Sequence, residues 1–288
     1  MNFIFQQKVL FILLIFFIFT AGILEKGYRW NLRMAPLEVS FLNVGQGDAI
    51  LINYQRRYQI LIDGGPSGKS VLKELAKVMP KFDRKIEVVI STHPDRDHFS
   101  GLIDVCKKYQ VGVVLTNGQE IDDEVWRAFR RMLKEKNILT QTVGEGSRVN
   151  IGKDFGLKIY NPDKIELNKR AKNDNSIVSR LDYGGNSFLF VGDAGFDAEA
   201  DMIFDQEDLD VDWLKVGHHG SKSATSKFFL SRVTPQVSII SVGENDYGHP
   251  TVETITRLKE NNSKILRTDQ QGTIKVVCPS IGEKCYVN

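Results

Sequence analysis

Thr92-His93-Pro94-Asp95-Arg96-Asp97-His98 is the stretch on which the reading of this chain turns. Two imidazoles and two carboxylates fall within six positions, directly after Ile86 to Ser91, an apolar and β-branched run with the length and content of a buried strand. Four such side chains in a purely structural loop would crowd like charges together, at roughly several kcal/mol per buried ion unless a cation lies among them. A solvated acidic turn is the alternative. From an extended turn His93 and Asp95 can point the same way, while the neighbours Asp97 and His98 diverge toward a second position, so two cations fit better than one. Mixed nitrogen and oxygen ligands without thiolates suit zinc, manganese or iron, and the carboxylate content favours the harder ions.

Two further strand ends supply matching groups. Phe188-Leu189-Phe190-Val191-Gly192-Asp193-Ala194 is an apolar run ending in a carboxylate. Alone, Asp193 would read as an Asx-turn or a helix cap; beside the first motif it reads as a bridging ligand. Leu214-Lys215-Val216-Gly217-His218-His219-Gly220-Ser221 brings two imidazoles into a loop, and adjacent side chains leave in different directions. His218 is therefore assigned as a ligand and His219 as either supporting the ligands from behind or facing substrate. The fifth histidine, His249, precedes a helix expected near Val252, and since the other four all fall in candidate site segments it is placed on the pocket wall.

Outward from these motifs the chain keeps returning to β. Strands are expected at Leu37 to Asn43, Asp48 to Ile52 and Tyr58 to Ile62, then at Val111 to Leu115, Leu139 to Val143, Leu157 to Tyr160, Ser176 to Leu181 and Val237 to Ser241. Helices are expected at Ser70 to Val78, Gly101 to Lys108 and Asp122 to Lys136, and near Asp197, Lys227 and Glu253. Two β-rich halves flanked by helices predict a layered α/β sandwich, as one catalytic domain over residues 35–288. Gly45-Gln46-Gly47 and Gly64-Gly65 read as turns, because neither opens a nucleotide fingerprint. Asn161 to Asn175, with Lys164, Lys169, Arg170 and Lys172, reads as a surface loop whose lysines are either simply solvated or a basic lip touching substrate.

The net charge of +2 hides an asymmetry: residues 1–34 hold Lys8, Lys26, Arg29 and Arg33 against Glu25, which is +3 and leaves about −1 for the rest. A nucleic-acid substrate would have to be met by a local basic face. Val9 to Leu24 is uncharged and apolar, short for a membrane span of about 20 residues and suited to a signal core, cleaved or retained as an anchor; a buried helix is the remaining reading. Cys106, Cys278 and Cys285 form no metal-binding pair. Cys278 and Cys285 flank the turn-like Pro279-Ser280-Ile281-Gly282, so they read as either a hairpin disulfide or two ordinary buried thiols.

Taken together these segments resemble the metallo-β-lactamase fold superfamily, with its HxHxDH motif after a strand, a bridging Asp and a late His. Asp95 stands where that motif has its second His. With Leu42-Asn43-Val44-Gly45-Gln46-Gly47-Asp48-Ala49, Leu61-Ile62-Asp63-Gly64-Gly65, Asn175-Ser176-Ile177-Val178 and Tyr247-Gly248-His249-Pro250, the pattern is similar to the extracytoplasmic hydrolase domain of the ComEC family of competence DNA-uptake proteins. The resemblance spans roughly residues 37–278 and implies a four-layer αββα sandwich. It implies two divalent ions, Zn or Mn, and no organic cofactor. His93 and Asp95 would hold one ion, Asp97 and His98 the other, with Asp193 bridging and His218 completing the second site. Asn175 falls where other members place a further histidine.

The implied activity is phosphodiester hydrolysis, of DNA or another diester, outside the cytoplasmic membrane, by a protein either anchored there or secreted, in contact with DNA-uptake machinery. Asp97 would guide a proton, His219 and His249 would meet a phosphoryl oxygen or the leaving group, and Asn175, Lys215, Ser221 and Lys222 would contact substrate. The rivals are a hydrolase of small envelope esters such as phosphorylcholine and a metal-bound DNA-binding domain without turnover.

Overall fold

Strand-forming runs and amphipathic helices alternate as their periodicities require, and the computed structural model describes residues 8, 11, 13–23, 25, 36–151, 155–163, 171–205 and 208–288. Residues 13–23 are helical (α1). The first half then runs β1 (Leu37–Phe41), β2 (Ile50–Tyr54), β3 (Tyr58–Ile62), α2 (Gly68–Val78), β4 (Lys85–Ser91), α3 (Arg96–Phe99), α4 (Leu102–Lys108), β5 (Gln110–Thr116), α5 (Glu124–Glu135) and β6 (Leu139–Thr142). The second runs β7 (Arg148–Asn150), β8 (Gly156–Asn161), β9 (Val178–Tyr183), β10 (Asn186–Phe190), α6 (Phe196–Asp205), β11 (Trp213–Lys215), α7 (Lys227–Val233), β12 (Val237–Ile240), α8 (Val252–Glu260), β13 (Lys264–Arg267), α9 (Thr268–Gln271), β14 (Ile274–Cys278) and β15 (Tyr286–Val287).

The strands make two sheets, one ordered β15-β14-β1-β2-β3-β4-β5-β6 and the other β13-β12-β11-β10-β9-β8-β7. Between them lies an apolar layer drawn from both, including Val39, Ile52 and Ile60 of one sheet and Phe188, Phe190 and Trp213 of the other. The outer face of the first sheet is covered by α2, α4 and α5 through Leu75, Val105, Trp126 and Phe129. That of the second is covered by α6, α7 and α8 through Met202, Phe229 and Leu258. The order helices, sheet, sheet, helices is the four-layer αββα arrangement expected. Local chemistry sets the helix starts: the side chains of Ser67, Asp123, Ser226 and Thr251 cap α2, α5, α7 and α8 by accepting from the first turn. In α5 Trp126, Phe129, Met132 and Leu133 fall on one face and are all buried.

Some elements depart from expectation. The chain after His93 does not stay extended but forms a single helical turn, α3, inside the motif. β7 and β13 are edge strands of three and four residues, too short and too mixed in polarity to show a period. The two cysteines that left two readings open are joined as a Cys278–Cys285 disulfide, while Cys106 is buried and free.

At the N-terminus Leu13, Phe16, Phe17 and Phe19 of α1 are more than half exposed. Among the described residues no helix is long and apolar enough to cross a membrane. Val9, Leu10, Ile12 and Leu24 of the apolar run, and the flanking Lys26, Arg29 and Arg33, lie outside the described residues, as do Lys164, Lys169 and Arg170.

Candidate metal centre

The site is assembled where β3, β4, β10, β11 and β12 end along one edge of the sandwich. Asp63 follows β3 in a left-handed conformation (φ 57°) and is fully buried. Its Oδ1 accepts from Thr92 N at 2.8 Å, and its Oδ2 accepts from Thr92 Oγ1 at 2.7 Å and meets His98 Nδ1 at 2.8 Å. One carboxylate thus fixes both ends of the motif that follows β4. Packing is close: a Cβ on Gly47 would overlap the carbonyl of Asp97, which explains a glycine there (φ 134°).

Hydrogen bonding decides which ring nitrogen of each histidine faces the centre. His98 Nδ1 is on the Asp63 carboxylate, and His219 Nδ1 is 2.9 Å from the Ser241 carbonyl, which can only accept. His93 Nδ1 lies 3.0 Å from Thr92 Oγ1 and 3.3 Å from Ser176 Oγ. Those hydroxyls already donate, to Asp63 and to the Asn173 carbonyl, so they too must accept. All three rings therefore carry a hydrogen on Nδ1 and turn Nε2 inward.

There the three Nε2 atoms converge on Asp193: its Oδ2 is 3.9 Å from His93, 3.3 Å from His98 and 3.4 Å from His219. These Nε2 atoms and Asp193 Oδ1 are buried without a hydrogen-bond partner. Such a set is costly as it stands and is what a cation would satisfy. His93, His98 and Asp193 make one group whose ligand atoms lie within 4.8 Å of one another, and Asp97, His98 and His219 make another. The residues present fit divalent ions. Electrostatics agrees: burial disfavours charge on His98 and His219, but Asp193 overrides it and draws positive charge onto both rings, while burial of Asp193 is outweighed by those rings and its carboxyl is held well below the ordinary range. A field that stabilises protons there equally stabilises a metal in their place.

Asp95 faces His93 Nε2 through Oδ2 at 3.4 Å and forms an ion pair with Lys172 through Oδ1. Burial raises its carboxyl, but His93 and Lys172 outweigh it and hold it at about 2. Asp97 Oδ2 is 3.3 Å from His219 Nε2. The adjacent histidines part company because both have left-handed backbone, φ 46° and 52°, a conformation that costs a non-glycine residue roughly 1 kcal/mol or more. His219 is driven inward to 1% side-chain exposure while His218 stays 29% exposed, its Nε2 3.6 Å from Asp193. The turn is held from behind: Gly217 N donates to Thr225 Oγ1 at 3.0 Å, and Glu199 accepts from Thr225 N and Ser226 N. The His249 ring lies 5.5 Å from that of His218, edge-on. His218, Asn173, Asp193 and Phe196 help line an open cleft of about 330 Å³.

Of the residues expected to contact substrate, Lys222 is exposed. The side chain of Lys215 is wholly buried, 2.5 Å from Asp48 Oδ2 and donating to the Gly192 carbonyl at 3.0 Å, where it offsets the charge of the carboxylates above it. Asn175 is fully buried, donates to the Ala171 carbonyl at 3.2 Å and braces the loop. Ser221 is buried too, its hydroxyl 3.0 Å from that of Ser223, closing the turn after His219. Asp48, Asp63 and Glu199 were given no role from sequence. The signal for the first two was the one that exposed Asp193, a carboxylate beside glycine at a strand end.

Two sheets with imidazoles and carboxylates gathered at one edge define a fold built around a metal centre, and the chain belongs to the metallo-beta-lactamase superfamily, whose profile matches residues 42–244. It is similar to ComE operon protein 3 of Bacillus subtilis, 29% identical over 261 residues, and to Recombination protein 2 of Haemophilus influenzae, 32% identical over 248 residues. Each match covers 83% of this chain but only 32% and 28% of the relative, so the chain spans about a third of the length of these proteins. Among solved structures, CmlA, a diiron β-hydroxylase from Streptomyces venezuelae, superposes with a TM-score of 0.55 at 12% identity, over 84% of this chain and 54% of that one. Zn(2+)-bound PqqB from Methylobacterium extorquens gives 0.51 at 9% identity, over 79% and 85%. These two likenesses concern the fold alone.

Proposed function

We propose that the chain is a binuclear phosphodiesterase that cleaves DNA or a related diester outside the cytoplasmic membrane. The observation that carries the reading is the convergence of three buried, partnerless Nε2 atoms on Asp193. His93, Asp95 and Asp193 would hold one ion, Zn or Mn, and Asp97, His98, His219 and Asp193 the second. His219 thereby takes the ligand role that the sequence reading gave to His218. When bound, the ions acidify a water and offset the charge that develops on the phosphoryl group.

The remaining work falls to the chain. Asp97, one-third exposed, accepts a proton from the attacking water. Burial keeps the His218 and His249 rings, beside the cleft, toward the neutral form, so they are free to accept a proton during turnover and pass it to the leaving oxygen. The diester substrate and a part in DNA uptake come from the resemblance of the motifs to the ComEC family, and a relative named Competence protein ComA, of Neisseria gonorrhoeae at 27% identity, is in keeping with them. The Cys278–Cys285 disulfide supports an oxidising compartment, and the apolar N-terminal run supports export, anchored or cleaved.

A second reading, hydrolysis of small envelope esters such as those of phosphorylcholine, is favoured by the modest cleft of about 330 Å³. The test uses the full chain loaded with Mn2+ or Zn2+ on labelled single- and double-stranded DNA, bis-p-nitrophenyl phosphate and p-nitrophenylphosphorylcholine. Metal-dependent DNA cleavage, abolished by Asp193→Ala, is the expected result. Cleavage of the phosphorylcholine ester without DNA would move the function to envelope chemistry, and DNA binding without cleavage of any substrate would leave a binding domain.

A further inference from the structure

We propose that Lys172, with Asn173 beside it, forms a subsite for a non-bridging oxygen of an anionic substrate; the inference rests on the phosphodiesterase reading above. Both residues lie on the turn at 171–175 that borders the cleft. Lys172 is anchored through its ion pair with Asp95 Oδ1, and the other oxygen of Asp95 faces His93 Nε2 at 3.4 Å. The ammonium therefore sits one carboxylate away from the first group of candidate ligands. Its side chain is still 42% exposed, and an ammonium has three donors, so contact with Asp95 leaves others for a substrate. Asn173 lines the cleft, its Nδ2 3.4 Å from His218 Nε2, and adds a neutral donor on the same lip.

Charge explains why a cation is needed at this place. Asp48, Asp63, Asp95, Asp97 and Asp193 bring five carboxylates to the site, and an anionic substrate approaching them is repelled in proportion to whatever charge stays uncompensated. Lys215 compensates from below, but it is buried against Asp48 and cannot reach a substrate. Lys172 compensates from above, on the solvent side of Asp95. A carboxylate at position 95 in place of the superfamily's imidazole adds one negative charge to the lip, and the lysine paired with it restores the balance while presenting its free donors outward. A neutral substrate gains little from this arrangement, whereas a phosphoryl oxygen gains a charge-assisted hydrogen bond.

The experiment measures the affinity of inorganic phosphate for the Mn2+-loaded full chain by titration calorimetry, together with the bound metal, in the wild type, Lys172→Gln and Lys172→Arg. The expected result is a phosphate affinity about ten- to a hundredfold weaker in Lys172→Gln, the loss of one hydrogen bond to a charged group, with metal content unchanged and partial recovery in Lys172→Arg. Equal phosphate affinity in wild type and Lys172→Gln, or no measurable phosphate binding by the wild type, overturns the proposal. So does loss of a metal ion in Lys172→Gln, which would make the lysine a support for Asp95. The parent reading fails separately: a wild type that binds phosphate through Lys172 yet cleaves no bis-p-nitrophenyl phosphate removes the phosphodiesterase and keeps the anion subsite.

Discussion

His218 and His219 are chemically identical neighbours, and what separates them is backbone and one distant carbonyl. His219 is fixed by Ser241, 22 residues later in the chain, and His218 turns to the cleft. His219→Ala should therefore lower bound metal below two ions per chain and abolish hydrolysis. His218→Ala should keep both ions and lower kcat by about a hundredfold, the scale of a lost proton-transfer group; elemental analysis beside steady-state kinetics separates the two. The pair was legible in the sequence as a source of one ligand; which of the two rings turns inward was not, because the left-handed turn depends on packing. The burial of Lys215 was hidden for a related reason: a lysine at a strand end is usually solvated, and its burial follows from Asp48, 167 positions away. Burial raises the Asp48 carboxyl, yet Lys215 and His219 outweigh it and hold it at about 2. Lys215→Met should cost about 3–5 kcal/mol in urea unfolding by stranding that charge, and Asp48→Asn in the same chain should recover part of the loss.

Elements carry these residues to the edge. β4, β10 and β11 were readable as apolar runs that stop where polar ligands begin, whereas the single turn of α3 was not, since four residues show no period. The link between α6 and α7 was also hidden. Glu199 of α6 accepts from the backbone at the start of α7 and so supports the histidine turn through Thr225. Burial pushes its carboxyl from 4.5 up to about 7, against hydrogen bonds from Ser226 and Thr225. The folded state thus binds this proton more tightly than the unfolded one, so the contribution is fully present below about pH 4.5 and is lost as pH rises toward 7. The difference of about 2.5 pH units corresponds to roughly 3 kcal/mol. Glu199→Gln should remove that slope from stability measured between those pH values; an unchanged slope would assign it to other groups.

At the scale of the whole molecule, the alternation of β-rich halves with helices was enough to predict a layered sandwich. It could not predict that the first sheet is finished by the end of the chain: β14 pairs antiparallel with β1, joining Leu37 to Cys278 across 241 positions. Pairing of that range leaves no local signature. The disulfide secures this return, with Cys278 fully buried between the sheets and Cys285 packed against the same layer. Closing so short a loop is worth about 2–3 kcal/mol by loop entropy. Cys285→Ser should lower the midpoint of thermal unfolding by several degrees in oxidising buffer and leave it unchanged, relative to wild type, once both are reduced.

The binuclear centre is tested by a metal titration of the full chain, stripped with a chelator and followed by elemental analysis and by hydrolysis of bis-p-nitrophenyl phosphate in the same samples. Two ions per chain are expected at saturation, with hydrolysis that appears only as they bind, and fewer than two ions with no hydrolysis in Asp193→Ala. Hydrolysis that survives chelation, or a chain that never holds two ions, would contradict a binuclear centre.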